Sequence, residues 1–334
     1  MLNPDAKLRE DLFDAKEQAP TRDGFGKGLL ELGEKNPNVV VLCADLAEST
    51  RVLPFKEKYP DRYIEMGVAE QNLATIGSGL ANYGKIPFIT SYATFSPGRN
   101  NEQIRTTIAL NNVPVKIAGS HAGLSVGPDG ATHQALEDIA LMRVQPNMTV
   151  ISPCDVEEAR KATFAAAATP GPVYIRLARA STPLITTAET PFEIGKAQTV
   201  WESGHAPAVA IFATGPLLYH ALMAAKELEH AAPSIVVNVH TIKPLDQEAI
   251  IAAAKSAGAV VTVEEHQAAG GMGSAIAELL AAQCPVPIEF VGVQDQFGQS
   301  GDPAELIEHY GLSAPHISAA VAKVVARKKN AATM

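Results

Sequence analysis

Short apolar runs alternate with helical segments along most of this chain, and that alternation limits the folds open to it. In the first half, runs rich in β-branched residues are predicted to form strands at 39–46, 86–90, 113–120, 148–153 and 172–178. Helices are predicted between them at 68–82, 132–143 and 155–168. Continuously apolar strands are buried on both faces, as in parallel sheets. The pattern therefore predicts a doubly wound, mainly parallel α/β domain.

A second α/β unit follows a linker at 181–198 that is rich in Thr, Pro and Glu. Its strands are predicted at 208–214, 234–242, 259–266 and 288–293. Its helices are predicted at about 217–229, 246–257, 272–283 and 316–328. We expect two doubly wound domains, at 17–185 and 200–330, after a solvated helical segment of about 16 residues. A chain of 334 residues is long enough for two such cores.

The composition excludes several classes of protein. A formal charge of -9, with no basic cluster before the final ARKKN, argues against a nucleic-acid surface. No apolar run approaches the length of a membrane span and the N-terminus lacks an apolar signal segment, so we expect a cytoplasmic protein outside the membrane. Three cysteines lie far apart without a CxxC pair, which favours neither a zinc site nor a disulfide framework.

The segment 63–84 carries the first candidate site residue. Glu70 follows a short strand and lies in the first turn of a predicted helix, where the helix dipole alone would favour a carboxylate. Small residues that let another backbone approach closely are frequent in this helix: Ala74, Gly77, Ser78, Gly79 and Ala81. We therefore interpret Glu70 as a buried functional carboxylate.

Two further groups of residues lie where predicted strands end. Tyr92 and Phe95 do not fit the two-residue alternation of a strand; they suit stacking on a flat heterocycle, or a local hydrophobic cluster. A loop with four glycines and one proline holds His121, Asp129 and His133 between a strand and a helix, where open α/β sheets bind ligands. The histidine spacing matches no zinc pattern, so no metal site is expected in this chain.

Arg22, Ser49 and Arg179 each neighbour a predicted strand or helix terminus. An arginine fork recognises phosphate or carboxylate through paired hydrogen bonds. Surface arginines are common, so each of these residues alone is a weak indication of a binding site.

The motifs GVAEQN at 67–72 and VGPDGATHQ at 126–134 resemble the C-terminal half of the transketolase family in order and separation. The resemblance implies a pyrimidine-binding domain, a transketolase C-terminal domain and thiamine diphosphate as the cofactor. By position, Glu70 corresponds to the carboxylate that activates the aminopyrimidine N1′. Tyr92 and Phe95 correspond to aromatics that pack on that ring.

The resemblance also implies roles for the other candidates. Asp45 corresponds to an aspartate near the cofactor at the subunit interface. In the family, the sugar phosphate is bound by residues that match Arg22, Ser49, His121 and Arg179. The substrate hydroxyls lie beside residues that match Asp129 and His133. The implied catalytic residues are Glu70, His121 and His133.

Transketolases hold the diphosphate through Mg²⁺, or Ca²⁺, with a GDG motif and a later Asn on a separate N-terminal domain, and this chain contains no GDG. The resemblance therefore implies one subunit of a split transketolase, inactive alone, whose partner is an N-terminal subunit with the GDG-Asn motif. Two copies of each subunit are expected to form an α2β2 heterotetramer. The implied reaction transfers a two-carbon ketol unit between phosphorylated sugars.

Some positions depart from transketolase. AEQ at 69–71 replaces REH, and its Glu-Gln also occurs in 1-deoxyxylulose-5-phosphate synthase and in the β subunits of 2-oxoacid dehydrogenase E1. However, the synthases have arginine where this chain has His121, and the E1 β subunits lack the DGxTHQ loop. Gly98 replaces a third aromatic, so the pocket is either more open or filled by Arg99. Ketol transfer is therefore the first interpretation, deoxyxylulose synthesis the second and acyl transfer the third. An alternative of another class is a non-catalytic subunit with an assembly or regulatory role. The sequence does not identify the individual sugars.

Two further segments have predicted structural roles. The helix that holds Glu70 is the expected central contact of the assembly, through Gly77, Ser78 and Ala81, although these residues also suit packing within the chain. The glycine-rich segment 264–274 is interpreted as a strand-to-helix turn with a structural His266 rather than a ligand loop.

Overall fold

The structure is a computed structural model that describes residues 1–14, 16–204 and 206–331. Its strands are β1 (Gln18–Ala19), β2 (Val39–Cys43), β3 (Tyr63–Glu65), β4 (Ile86–Tyr92), β5 (Lys116–Ser120), β6 (Thr149–Ile151), β7 (Val173–Arg176), β8 (Thr182–Pro183), β9 (Gln198–Glu202), β10 (Val209–Ala213), β11 (Ser234–Asn238), β12 (Thr241–Lys243), β13 (Val260–Gln267) and β14 (Ile288–Val293). Its α-helices are α1 (Thr21–Lys35), α2 (Leu53–Lys58), α3 (Glu70–Asn82), α4 (Asn101–Gln103), α5 (Asp138–Arg143), α6 (Val156–Ala168), α7 (Leu218–Glu227), α8 (Gln247–Ala257), α9 (Met272–Gln283), α10 (Pro303–His309) and α11 (Ala314–Ala331).

The first half of the chain builds a seven-stranded sheet in the order β12-β6-β7-β5-β4-β2-β3. All neighbouring pairs are parallel except β12 with β6. Helices α1, α2 and α6 pack on one face around Phe25 and Phe55. Helix α3 and a π-helical turn at Ile104–Ala109 contribute to the core on the other face. The doubly wound, mainly parallel fold predicted from the apolar runs is confirmed.

The second half builds a five-stranded sheet in the order β14-β13-β10-β11-β9, parallel except for β9. Its core continues into that of the first sheet, because Leu42 and Leu73 belong to the same buried cluster as Phe212 and Ile250. The two sheets are therefore parts of one packed molecule. Among the helices of the described residues, none combines the length and apolar character needed to cross a bilayer.

The predicted solvated helix at the N-terminus is wrong. Residues 4–6 and 12–14 form single 3-10 turns, and Ala6 and Leu12 are buried in the core of the second sheet. Phe13 packs edge-on against Trp201 with 6.1 Å between ring centroids. The burial of these apolar residues depends on a strand almost 200 residues away, which no local pattern can indicate.

The predicted strand at 234–242 is two strands in different sheets. β11 ends at Asn238, and β12 crosses to the first sheet, where it pairs antiparallel with β6. The backbone between them is held by a hydrogen bond from Ser152 N to His240 O. A continuous apolar run cannot indicate which neighbouring strand each part will join, so the sequence pattern missed this crossing.

Two other predicted segments differ in extent. The predicted helix 132–143 begins only at Asp138, after an irregular loop that contains a 3-10 turn at Leu124–Asp129. The linker is anchored because Asp155, the N-cap of α6, also accepts hydrogen bonds from the backbone of Ile185 and Thr186.

The small residues of α3 pack within this chain. Gly77, Ser78 and Ala81 are buried, and a Cβ at Gly77 would lie 2.8 Å from Ile89 Cγ2. They are thus not available as an external contact, and their size serves helix-to-sheet packing. The exposed side of α3 carries Ile76 and Gly79, and Tyr83 follows at its C-cap.

Candidate active site

The predicted site residues gather at the carboxyl ends of neighbouring parallel strands of the seven-stranded sheet. Asp45 and Ser49 follow β2, and Glu70 follows β3. Tyr92 ends β4, His121 follows β5, and Arg179 follows β7. Ligands of open α/β sheets bind at this edge. The topology therefore brings together residues that lie up to 157 positions apart, since Arg22 in the first turn of α1 joins the same edge.

Arg22 connects Ser49 and His121. Its Nη1 donates to the Ser49 carbonyl oxygen at 2.9 Å and lies 3.1 Å from His121 Nε2. An arginine can only donate, so Nε2 is the acceptor and the proton of the neutral ring is on Nδ1, which lies 2.9 Å from Ser120 Oγ. Burial, together with the charges of Arg22 and Arg179, lowers the pKa of His121 to about 3. The imidazole is therefore neutral at physiological pH.

Four rings cluster next to this group. Tyr92 stacks on His121 with 3.8 Å between centroids, and Phe95 lies parallel to Tyr92 at 6.0 Å. His133 stands edge-on to Phe95 at 5.4 Å and to Tyr92 at 6.0 Å. The structure thus brings both predicted aromatics and both predicted histidines into one cluster, with Tyr92 already covered on one face by His121.

Glu70 is the first residue of α3, and only 1% of its side chain is exposed. Its Oε2 accepts a hydrogen bond from Arg99 Nη1 at 2.9 Å, and Arg99 also lies 4.8 Å from the centroid of the Phe95 ring. A Cβ at Gly98 would lie 2.0 Å from Thr94 O, so this backbone excludes the family's third aromatic. Arg99, the residue after Gly98, contacts both Glu70 and Phe95.

Asp45 lies on the adjacent loop with a left-handed backbone, φ 57°. Its N–H and that of Gly67 both donate to Glu65 Oε1, at 2.7 and 3.0 Å, while the Tyr63 hydroxyl donates to Oε2. Burial raises the pKa of Glu65, but these hydrogen bonds outweigh it and hold the pKa below its usual range. Glu65, which sequence reasoning missed, ties the Asp45 loop to the segment before Glu70.

The remaining predicted residues lie on or against the loop between β5 and α5. Asp129 is exposed at the end of the 3-10 turn, and His133 Nδ1 lies 2.9 Å from Thr132 Oγ1. Arg179 Nη1 donates to the Val126 carbonyl oxygen at 2.6 Å. Arg179 therefore supports this loop as well as adding positive charge to the site.

Arg51 is a further residue that sequence reasoning missed. Its Nε lies 2.6 Å from Asp23 Oδ1. Burial and the nearby Arg51 charge lower the pKa of Arg22, and Arg51 also lowers that of His121. Its position two residues after Ser49 was the available signal. With Arg22 and Arg179, it adds positive charge to this end of the site, which Asp23 offsets in part.

The side chains around Glu70 fit a flat nitrogen heterocycle. Arg99 is itself flat and carries N–H donors, and it both stacks on Phe95 and donates to Glu70. An aminopyrimidine has the same two properties, a flat face and a ring nitrogen that can share a proton with a carboxyl group. Within the described residues, no group of three or more His, Cys, Asp or Glu is arranged to hold a metal ion.

Comparison with known proteins identifies the family of the chain. The sequence pattern of the transketolase pyrimidine-binding domain matches residues 17–184, and that of the transketolase C-terminal domain matches residues 195–317. The chain is 41% identical over 318 residues to 6-deoxy-6-sulfo-D-fructose transketolase subunit SqwH of Clostridium sp. (strain MSTE9), covering 95% of this chain and 98% of that protein. It is 36% identical over 293 residues to an apulose-4-phosphate transketolase subunit of Phocaeicola vulgatus, covering 87% and 93%.

Among solved structures, a split gene transketolase described as an inactive β4 tetramer superposes with a TM-score of 0.86. It is 44% identical in sequence, and the match covers 92% of this chain and 99% of that one. The chain therefore belongs to the transketolase family and contains its pyrimidine-binding and C-terminal domains.

Proposed function

We propose that this chain is the C-terminal subunit of a split, thiamine-diphosphate-dependent transketolase that transfers a two-carbon ketol unit between phosphorylated sugars. The observation that carries the proposal is that the buried Glu70 carboxylate and the Phe95 ring contact the same flat Arg99 guanidinium, at the same sheet edge as His121. The two relatives described above are named transketolase subunits and match along almost their whole length, which supports a separate partner chain.

Glu70 and Phe95 would hold the cofactor's aminopyrimidine. Bound thiamine diphosphate would supply the nucleophilic carbon that adds to the ketose carbonyl and carries the two-carbon unit. Glu70 would hydrogen-bond the ring N1′ and share a proton there, shielded from competing water by its burial. Phe95 would support the ring face, and Tyr92 would brace Phe95. Arg99 would leave its present contacts with Glu70 and Phe95.

The positive end of the site would bind the sugar phosphate. Arg22 and Arg179 each have guanidinium N–H groups beyond those used in their backbone contacts, and Ser49 lies beside Arg22. Charge-assisted hydrogen bonds from arginine are among the stronger contacts available to a phosphate. His121, being neutral, adds no charge, and its Nε2 would accept a hydrogen bond from a substrate hydroxyl in place of Arg22.

His133 and Asp129 would contact the sugar hydroxyls from the loop. His133 lies edge-on to Phe95, so its ring faces the region where cofactor and sugar would meet. An imidazole in that place can accept or return a proton at a hydroxyl group during carbon–carbon bond cleavage. Asp45 would lie near the cofactor where the subunits join.

The diphosphate and its Mg²⁺, or Ca²⁺, would be held by an N-terminal subunit with the GDG-Asn motif. A metal-bridged diphosphate needs carboxylate and amide oxygens. Binding of the cofactor would therefore need both chains, and the enzyme would act in the cytoplasm, as the composition predicts.

The exposed face of α3 is the proposed contact in an α2β2 assembly. Ile76, Tyr83 and Leu110 are 44%, 89% and 73% exposed. α3 and the neighbouring π-helical turn form one surface, since Ser78 Oγ donates to Thr107 O at 2.6 Å. Apolar patches of this kind on a surface favour association.

Reconstitution tests the proposal. The chain is co-expressed with its candidate N-terminal subunit, and ketol transfer from phosphorylated ketoses is measured beside deoxyxylulose 5-phosphate formation. 6-Deoxy-6-sulfo-D-fructose belongs among the donors because a relative is named for it. We expect ketol transfer only by the complex, with a light-scattering mass of α2β2. Full activity of the isolated chain, or deoxyxylulose 5-phosphate as the main product, would contradict it.

A further inference from the structure

The loop between β5 and α5 carries His121 at one end and His133 at the other, and its middle rests on the C-terminal half of the chain. The 3-10 turn Leu124–Asp129 packs against α10 and lies beside the end of β13. A loop with several glycines has high conformational freedom, so its order depends on such contacts.

Glu265 makes the central contact. This β13 residue is 3% exposed, and its Oε1 accepts a hydrogen bond from Ser125 N at 2.6 Å while Oε2 accepts one from Ser125 Oγ at 3.3 Å. A Cβ at Gly123, whose φ is +86°, would lie 2.4 Å from the same Oε1. The loop thus reaches the carboxylate closely because position 123 has no side chain.

A second contact holds the far side of the loop. Gln134 Nε2 donates both to Leu124 O within the loop and to Gln299 O of the C-terminal half, each at 3.0 Å. Behind these contacts, Arg176 donates to the carbonyl oxygens of Ala135 and Glu265 at 3.3 and 2.8 Å. The backbone on both sides of the interface is therefore linked through one buried guanidinium.

The neighbouring Glu264 serves a different partner. Successive strand residues point to opposite faces of a sheet, and Glu264 faces α9, where it accepts hydrogen bonds from Met272 N and Gly273 N at 2.7 and 2.8 Å. Glu264 is 1% exposed, so the two carboxylates are matched in burial and in number of bonds. One stabilises a helix of its own domain, and the other holds a loop of the first domain.

We propose that Glu265 is a positioning residue through which the C-terminal domain holds the β5–α5 loop, and with it His121 and His133, in the arrangement needed for sugar binding. The proposal rests on the proposed function for its catalytic consequence. Its structural part, that Glu265 keeps the loop ordered, does not depend on the proposed function. Burial of a carboxylate is costly unless it is well hydrogen-bonded, and here the bonds go to the loop.

Hydrogen exchange on the purified full chain tests the structural part without any activity. We expect Glu265→Ala to speed exchange of amides at 121–134 by about tenfold or more, because a hydrogen bond to a charged group is worth at least that factor. Glu265→Gln should have a smaller effect, since its carbonyl can still accept from Ser125 N. Glu264→Ala is the matched control and should speed exchange in α9 only.

The variants are expected to fold. A cavity of about 450 Å³ between the domains borders both Ser125 and Glu265, so water can enter the space that the alanine variant leaves. Loop exchange in Glu265→Ala equal to that of the wild type would overturn the proposal. A loop response in Glu264→Ala as large as in Glu265→Ala would also overturn it, because the effect would then be general destabilisation.

Kinetics of the reconstituted enzyme test the catalytic part. We expect Glu265→Ala to lower kcat/KM for the sugars by about tenfold or more with unchanged affinity for thiamine diphosphate, and Glu264→Ala to leave both near wild type. Equal kinetics in the two variants would overturn the positioning role. A wild-type complex without ketol transfer would overturn the proposed function, while the exchange result would still decide the role of Glu265 in the loop.

Discussion

The Glu70 carboxylate and the Arg99 guanidinium form an ion pair with 2.9 Å between Oε2 and Nη1. Glu70 is buried, whereas half of the Arg99 side chain is exposed and its guanidinium lies over Phe95. The charge of a buried carboxylate needs a partner, and Arg99 provides it. The same guanidinium takes up the donor position and the ring face that a cofactor pyrimidine would use.

Arg99→Ala is expected to tighten binding of thiamine diphosphate by the reconstituted enzyme. The arginine competes with the cofactor for Glu70 and Phe95, and its removal ends that competition. Because Arg99 is half exposed, solvent screens part of its attraction to Glu70, so we expect a gain of about three- to tenfold. Isothermal titration calorimetry measures the affinity. Arg99→Lys keeps the charge but cannot stack as a flat group, so its affinity for thiamine diphosphate should lie between those of the wild type and Arg99→Ala. Weaker binding by Arg99→Ala would mean that Arg99 holds the cofactor instead.

Glu70→Gln is expected to lower kcat of the complex by roughly 10²–10⁴-fold, the usual contribution of a proton-transfer group. The amide can hydrogen-bond N1′ but cannot exchange a proton with it. The thermal midpoint should stay near wild type, which circular dichroism would check. A variant that kept half of the parental kcat would exclude Glu70 from this role.

Arg179→Ala is expected to raise KM for phosphorylated sugars by about one to two orders of magnitude, because a charge-assisted hydrogen bond in a desolvated site is worth about 1.5–3 kcal/mol. Arg179 also supports the Val126 carbonyl, so part of the loss comes from the loop. Glycolaldehyde, an acceptor without phosphate, separates the two effects. An equal rise in KM for glycolaldehyde would show that Arg179 acts only on the loop.

Glu158 is expected to make stability fall as pH rises. Burial, together with the charge of Asp155, raises its pKa to about 7 from the usual 4.5. The folded state then binds this proton more strongly than the unfolded state. Its contribution to stability is therefore fully present below pH 4.5 and is lost as pH rises through 7, by at most about 1.4 kcal/mol per pH unit.

Glu158→Gln should remove this slope. The glutamine can still accept from Cys154 N, and its amide can donate to Asn238 Oδ1 once the Asn238 amide turns over, since Asn238 Nδ2 faces Glu158 in the wild type and Oδ1 is buried without a partner among the described residues. Urea unfolding at pH 5 and pH 8 gives the free energy of unfolding at each pH. The contributions of the other titrating groups cancel when the variant is compared with the wild type. Glu157→Gln, at the surface beside Arg160, is the control. An unchanged slope in Glu158→Gln would assign the pH dependence to other residues.

Much of the fold could be predicted because its signals are local. Buried parallel strands are continuous apolar runs, so β2, β4, β5 and β7 coincide closely with the predicted segments. The predicted helix at 68–82 matches α3 except for its first two residues, because an acidic residue precedes a run of helix-compatible small residues. The candidate site residues could be chosen because ligands of this fold class bind where strands end.

The contacts between distant segments could not be predicted in this way. Nothing local to 234–242 indicates that β12 joins the other sheet, or that Leu12 is buried in the same core cluster as Trp201. Glu264 and Glu265 are adjacent and chemically identical, yet one caps a helix and the other holds the loop that carries His121 and His133.

From the sequence alone came the alternation of buried strands with helices in two α/β domains, a helix close to the bounds of α3 and the resemblance to the transketolase family. The tertiary structure alone decided that Arg99 pairs with Glu70, that Tyr92 stacks on His121 and that the C-terminal half supports the loop. The physical reason is that periodicity and capping act over a few residues. These pairings, in contrast, depend on which distant groups the fold brings together and buries, and on which of them can then hydrogen-bond or pair their charges.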